Sequence, residues 1–418
     1  LVLHFGREPD EDLPGKGGVG RRLADDPCLM QLVPLAVLRT EAEGAAKAAF
    51  AAGGAEATRV SKARFLLREA TLLQEVARRT GELDALVRAS SAARRASDAA
   101  RGERRLLAHA QVRHADIIAL SATLFADVEA LEAAAARLDE PARSGDAVAA
   151  ARSAALRGAL LSRRSLLTAN LDLEAGAVAA LSAAAEALDD LARRGRVDPC
   201  EGRETRLELA ELLIGSGRRA KTAARLEEAL KVLGTAALGL DLDYRPLTWC
   251  RLETLKAQAL AALGDLDGRP ELLWDGVAAL RRVADEVDAA ESPLDVARAR
   301  HVLGLELQAL GEIFDDPSLF DAALLAFRPA LEALEKAPQL PLRAYMAHDA
   351  ADCLARRAER LRDLDALARA EVVFLDELRI RPPSKDPLSW AVAQVALARI
   401  YAAQADLLAD EDRRRRAT

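Results

Sequence analysis

Five prolines set the frame of this chain. Pro199, Pro246, Pro293, Pro341 and Pro387 follow one another at steps of 47, 47, 48 and 46 residues, and all but Pro199 read Pro-Leu. The stretch 293–340 shows the unit most fully. It opens at Pro293, carries Leu303, Gly304 and Leu307, reaches Leu310 and Gly311, and resumes with Ala323, Phe327 and Ala330. Self-similarity at a fixed period of this size marks a stacked repeat array. One such unit cannot bury its apolar face alone and must stack on its neighbours, so chain length is no guide to domain count.

Ala, Leu, Arg and Glu dominate the units, and aromatics make up 3% of the chain. Ala and unbranched side chains lose little rotamer freedom in a helix, so every long window favours helix, and the reading is all-α. Residues 1–33 read as an irregular N-terminal arm. Residues 34–198 read as degenerate helical hairpins: 56–80 with 82–100 around Gly81, then 103–136, then 147–194 bent near Asn170 to Gly176. Residues 199–411 form the regular array (199–245, 246–292, 293–340, 341–386 and a half unit 387–411), and 412–418 form a basic tail. Proline suits a first helical turn, where its missing N–H would be unpaired anyway. Ser292 and Asp386 stand as cap candidates before two of these prolines.

Aligned on the prolines, Gly217, Gly264 and Gly311 share a column and read as turn glycines. Large-small pairs stand upstream of them (Leu209-Ala210, Leu303-Gly304, Leu397-Ala398), followed four residues after each pair's first member by Leu213, Leu307 and Tyr401. The second helix reads small, large, small at Thr222, Leu226, Ala229 and at Ala323, Phe327, Ala330. Small residues let paired helices approach while large ones fill the gap. This pattern resembles the tetratricopeptide repeat, strongly over 199–340 and more loosely elsewhere, with a period longer than that family's usual 34 residues. The excess is expected in long inter-helix turns, 265–271 and 312–318. The resemblance implies a right-handed α-solenoid, elongated and curved, acting as a cytoplasmic protein-interaction scaffold that holds a peptide or partner helix in its concave groove. The alternative is a regulatory or sensor subunit whose effector domain lies on a longer chain or a neighbouring protein.

Several function classes are disfavoured. A net charge of −7 spread over 418 residues does not suit a general nucleic-acid binder. No apolar run is long enough for a membrane span. Cys28, Cys200, Cys250 and Cys353 are scattered without a Cys-x-x-Cys pair, which suits reduced thiols better than a disulfide framework or zinc site. Lys16-Gly17-Gly18-Val19-Gly20 invites a phosphate-loop reading. However, Arg21 and Arg22 stand where such a loop needs Lys and Ser or Thr, and no strands surround it. His109 and His114 are five apart and do not share a helix face, so they make no metal pair. Trp249, Trp274 and Trp390 fall at repeat positions and read as packing residues. With no catalytic constellation in view, the chain reads as a non-enzyme without a cofactor or metal.

The resemblance places the groove on the first helix of each hairpin. Its centre comprises Arg251, Gln258, Arg298, His301, Gln308 and Arg356, a basic and amide-bearing stripe in an acidic protein. Guanidinium forks suit carboxylates, so the expected partner is an acidic segment of a protein or peptide, with no nucleic acid and no membrane. The helix from Pro387 to about residue 409 is apolar around much of its circumference, and self-association through 387–409 is a second expectation.

Overall fold

The computed structural model describes residues 29–53, 58–380, 384, 387–408 and 416. The phosphate-loop-like stretch at 16–20, the cap candidate Asp386 and all of the tail but Arg416 lie outside them.

A 3-10 turn, Met30–Leu32, leads into helix α1 (Leu35–Ala51). Hairpins of antiparallel helices follow. They are α2 (Arg59–Thr80) with α3 (Leu83–Ala99), α4 (Arg104–Phe125) with α5 (Val128–Ala136) and the single turn α6 (Asp139–Ala142), and α7 (Ala147–Thr168) with α8 (Leu171–Arg193). The regular array continues with α9 (Cys200–Ala220) and α10 (Ala223–Ala237), α11 (Pro246–Asp267) and α12 (Pro270–Glu286), α13 (Pro293–Phe314) and α14 (Pro317–Ala333), α15 (Pro341–Leu361) and α16 (Leu364–Ile380), and ends on α17 (Pro387–Leu408). Among the described residues every regular element is helical, and each hairpin packs on the next. The fold is an all-α solenoid of helical hairpins.

The excess over a 34-residue repeat lies in the helices, against the expectation of long turns. The first helices of the two central units run 22 residues and the second 17, with two residues between them. Gly217, Gly264 and Gly311 are accordingly buried inside helices and do not form the turn. A Cβ on Gly311 would lie 2.8 Å from the Phe320 ring, and one on Gly264 would lie 2.6 Å from Leu273, so the glycine column marks close helix approach. The left-handed turn comes four residues later, at Lys221 (φ 49°), Gly268 (φ 64°) and Asp315 (φ 51°). There the next N–H returns to the carbonyl of the column glycine, as in Asp316 N to Gly311 O at 3.1 Å, which satisfies the helix end. Ser292 precedes Pro293 but does not cap α13. Its hydroxyl donates to Asp295 Oδ2 at 2.5 Å instead.

The array is not open. Met30, Val33, Leu38, Leu73, Val76 and Leu86 from the N-terminal elements share one apolar core with Leu294, Ala297, Ala330, Leu334, Leu340 and Met346. Polar contacts seal the same seam. Gln31 Oε1 accepts from Leu247 N (2.9 Å) and Thr248 N (3.1 Å) at the start of α11, and Leu35 N at the start of α1 donates to Glu291 Oε2 (2.6 Å). Each side thus supplies an acceptor for unpaired N–H groups at the other's helix N-terminus. Arg79, almost wholly buried, donates to Met30 O (2.7 Å), Val33 O (2.9 Å) and Glu75 (2.7 Å), which fixes the turn at 30–33. The part of the arm within the described residues is therefore packed into the seam through Met30 and Val33, and the expected open, elongated curve closes on itself.

Trp249 is buried beneath Arg282, Trp390 is half-buried, and Trp274 is partly exposed rather than packed away. Cys250 and Cys353 are free and buried, and burial pushes the Cys353 thiol up to about 12. Cys200, in contrast, is disulfide-bonded, so the expectation of four reduced thiols does not hold.

Candidate binding site on the inner helices

Closure turns the concave face into a central cavity of about 580 Å³, walled by the first helices α2, α4, α7, α9, α11 and α13. Of the six residues expected to form a groove, Arg251, Gln258, Arg298 and His301 line this cavity. Gln308 and Arg356 do not. They sit further along the array, where Gln308 Nε2 (3.0 Å) and Arg356 Nε (2.6 Å) both donate to Asp352 Oδ2, and Arg356 also pairs with Glu312.

The stripe is largely neutralised from within. Arg251 pairs with Glu204, Glu208 and Glu211, and Arg163 of α7 reaches Glu208 and Glu211 from the other side. Burial alone would pull the Arg163 and Arg251 pKa values down, but these carboxylates outweigh it and hold both above the ordinary range. Burial would raise Glu211, and the two guanidiniums pull it well below the usual carboxylate range. These ion pairs are half-buried and shared among several partners, so removing one member leaves the others poorly compensated. Arg251 is therefore a structural member of the wall.

A second network lies beside it. Arg78 shares Glu75 with Arg79 and reaches Asp295 Oδ2 at 3.3 Å. Burial raises the Glu75 pKa, but the two arginines bring it down to about 2. His301 Nε2 lies 2.6 Å from Asp349 Oδ2. His348 Nδ1 lies 2.9 Å from Glu377, and although burial lowers its pKa, Glu377, Asp349 and Asp352 together raise it.

Two cavity residues stand apart. The side chain of Gln258 makes no hydrogen bond to any described residue, and that of Arg298 makes none either; its one carboxylate within reach is Asp295 Oδ1 at 4.0 Å. Leu120, Leu124, Leu156 and Leu160 of α4 and α7 give the lining an apolar patch. The carboxylates of α9 that neutralise the stripe were readable in sequence, because Glu204, Glu208 and Glu211 fall on one helix face at spacings of four and three. Arg163 enters from the adjacent helix α7, which precedes the proline frame, and Glu75 and Arg78 meet this wall only through closure, so none of them carried such a signal.

His109 pairs with Asp146 (2.9 Å) and His114 contacts Ser90 (3.2 Å). Among the described residues no cluster of three or more His, Cys, Asp or Glu could hold a metal ion, and no helix is long and apolar enough to cross a membrane. On α17, Ala393, Leu397 and Ile400 are buried, while Val392, Val395 and Leu408 are exposed.

Fold and site together define a helical-repeat protein with an inward-facing polar cavity. No protein-family model matches the chain, and no curated protein matches it. Among solved structures it is similar to a "Circular tandem repeat protein with novel repeat topology and enhanced subunit contact surfaces", at 17% identity over 96% of this chain and 93% of that one, with a TM-score of 0.21.

Proposed function

We propose that this chain is an interaction protein of the tetratricopeptide-like kind, whose inner helices receive a short acidic segment of a partner protein. The observation that carries the reading is the meeting of six inner helices around one cavity with unused donors, Arg298 and Gln258, on its wall. Its volume narrows the occupant. A helix is ~10–12 Å across and rises ~1.5 Å per residue, so about one turn would fill the space. A short extended segment suits it better than a partner helix, and 580 Å³ lies within the roughly 300–1,000 Å³ of pockets that bury small ligands. The exposed Val392, Val395 and Leu408 support a separate apolar contact surface on α17, through which copies would self-associate.

A second reading, a sensor subunit, is favoured by the position of the seam. Met30 lines the cavity, and its neighbour Gln31 caps α11, so an occupant would touch the closure directly. A photo-crosslinking residue at Gln258, with a control at the outward-facing Leu238, tests the main reading. Partner adducts are expected from position 258 alone. Adducts from position 238 alone would move the binding surface to the C-terminal end of α10.

A further inference from the structure

We propose that Arg298 is the docking point for a single carboxylate carried on an apolar body, with the Gln258 amide as second donor and the leucine wall of α4 and α7 receiving the body. The assignment rests on the reading of the cavity as a binding site, and it names the chemistry of the occupant.

Arg298 is unlike the other cavity arginines. Arg78, Arg113, Arg163 and Arg251 each hold at least one carboxylate by a hydrogen bond. Arg298 holds none, and Asp295, its neighbour at 4.0 Å, is already engaged by Ser292 and Arg78. Around this point three guanidiniums, Arg78, Arg79 and Arg298, share two carboxylates, Glu75 and Asp295. Arg298 keeps 43% of its side-chain surface accessible, and that surface faces the cavity. Burial lowers its pKa, Asp295 and Glu211 oppose that, and Arg163 and Arg251 add to it. A planar guanidinium with five free donors is matched by a carboxylate in a bidentate fork.

The remaining walls select against other anions. Glu75, Asp116, Glu208, Glu211 and Asp295 ring the cavity with five arginines, so no excess positive charge is left to balance the second charge of a phosphate dianion. Leu120, Leu124, Leu156 and Leu160 offer nothing to a wholly polar ligand and favour an aliphatic one. A carboxylate of this kind has two sources, a glutamate of an otherwise apolar partner segment or a free aliphatic acid.

The test uses calorimetric titration of the full chain with four probes: octanoate, octan-1-ol, the blocked peptide acetyl-Ala-Leu-Glu-Leu-Ala-amide and its Gln counterpart. At least one carboxylate probe is expected to bind, with its neutral counterpart failing. Arg298→Gln should weaken that binding by at least ~10-fold, the loss of a charge-assisted pair. Arg298→Lys, which keeps the charge and loses the fork, should fall between, and it stands in should Arg298→Gln not fold by circular dichroism. Octanoate bound and both peptides rejected would keep the Arg298 assignment and end the partner-segment reading. Both peptides bound equally, and equally by Arg298→Gln, would keep the partner-segment reading and overturn the assignment. No binding by either carboxylate, or unchanged carboxylate binding in the variants, overturns it as well.

Discussion

Arg78 on α2 and Asp295 on α13 meet across 217 residues of sequence, Nη1 to Oδ2 at 3.3 Å. In an open solenoid these residues would lie several units apart, since each repeat touches only its neighbours. Their pairing places a charge contact beside the apolar seam of Leu73, Val76, Leu294 and Leu340. Asp295 is buried and also holds the Ser292 hydroxyl, whereas Arg78 is partly exposed. Asp295→Asn keeps the volume and removes the charge. It should cost roughly 1.5–3 kcal/mol, the range for hydrogen bonds to a charged acceptor. Hydrogen exchange should rise first at 30–33 and at the C-terminal turn of α2. A uniform rise over all the hairpins would show that the seam is not a distinct unit.

The glycines predict opposite signs at two positions. A Cβ on Gly304 would lie 2.5 Å from the Phe327 ring, whereas Gly44 has nothing within 4 Å of the same position. Gly304→Ala should destabilise by about 1–3 kcal/mol through overpacking, and Phe327→Leu in the same chain should recover part of that loss. Gly44→Ala, on an exposed helix face, should stabilise by roughly 0.5–1 kcal/mol. Denaturant midpoints read both. Equal effects at the two sites would contradict the close approach of α13 and α14.

Glu306 makes stability depend on pH. It is buried next to Gly276, its two oxygens have no hydrogen-bond partner among the described residues, and burial pushes its pKa to about 8. In the unfolded chain a glutamate ionises near the ordinary value of ~4.3. The folded state therefore binds the extra proton between about pH 4 and 8. The stabilising contribution is full below that window and lost as pH rises through it. The loss is on the order of 4–5 kcal/mol across the window. Melting temperature should fall from pH 5 to pH 9, and Glu306→Gln should flatten that slope. An unchanged slope in the variant would assign the pH dependence to other groups.

The cysteines give a count. The unreduced chain in denaturant should react with two equivalents of thiol reagent, from Cys250 and Cys353, and with four after reduction. Four equivalents without reduction would show that the Cys200 disulfide does not form in the compartment of expression, as a reducing cytoplasm would ensure.

The hairpins were legible because their signals are local. Gly81 (φ 72°) and Asn170, whose side chain accepts from Asp172 N and Leu173 N, punctuate helices near where the sequence placed the breaks. Proline marks the start of α11, α13, α15 and α17 for the same reason. The glycine column misled because packing against Leu226, Leu273 and Phe320 asks for a small residue as strongly as a turn does. Lys221 and Asp315 then took the left-handed positions without glycine, at a local cost that surrounding packing holds in place. The inner face was half legible. Offsets from the prolines put Arg251, Gln258, Arg298 and His301 on one surface, but not its opposite wall, which depends on which hairpins meet after 217 residues. That pairing follows from the accumulated rotation of every unit between, and no single residue encodes it.

Closure also changes how such a chain can grow. An open array accepts a duplicated unit anywhere along its length, since only neighbours must fit. Here a 47-residue unit inserted between α3 and α11 would carry Asp295 away from Arg78 and Thr248 away from Gln31, separating both halves of the seam at once. Met346 ties α15 into the seam as well, whereas α16 and α17 lie past it and carry no such constraint. Lengthening by duplication is therefore confined to the C-terminal end, while the ring itself has a fixed circumference.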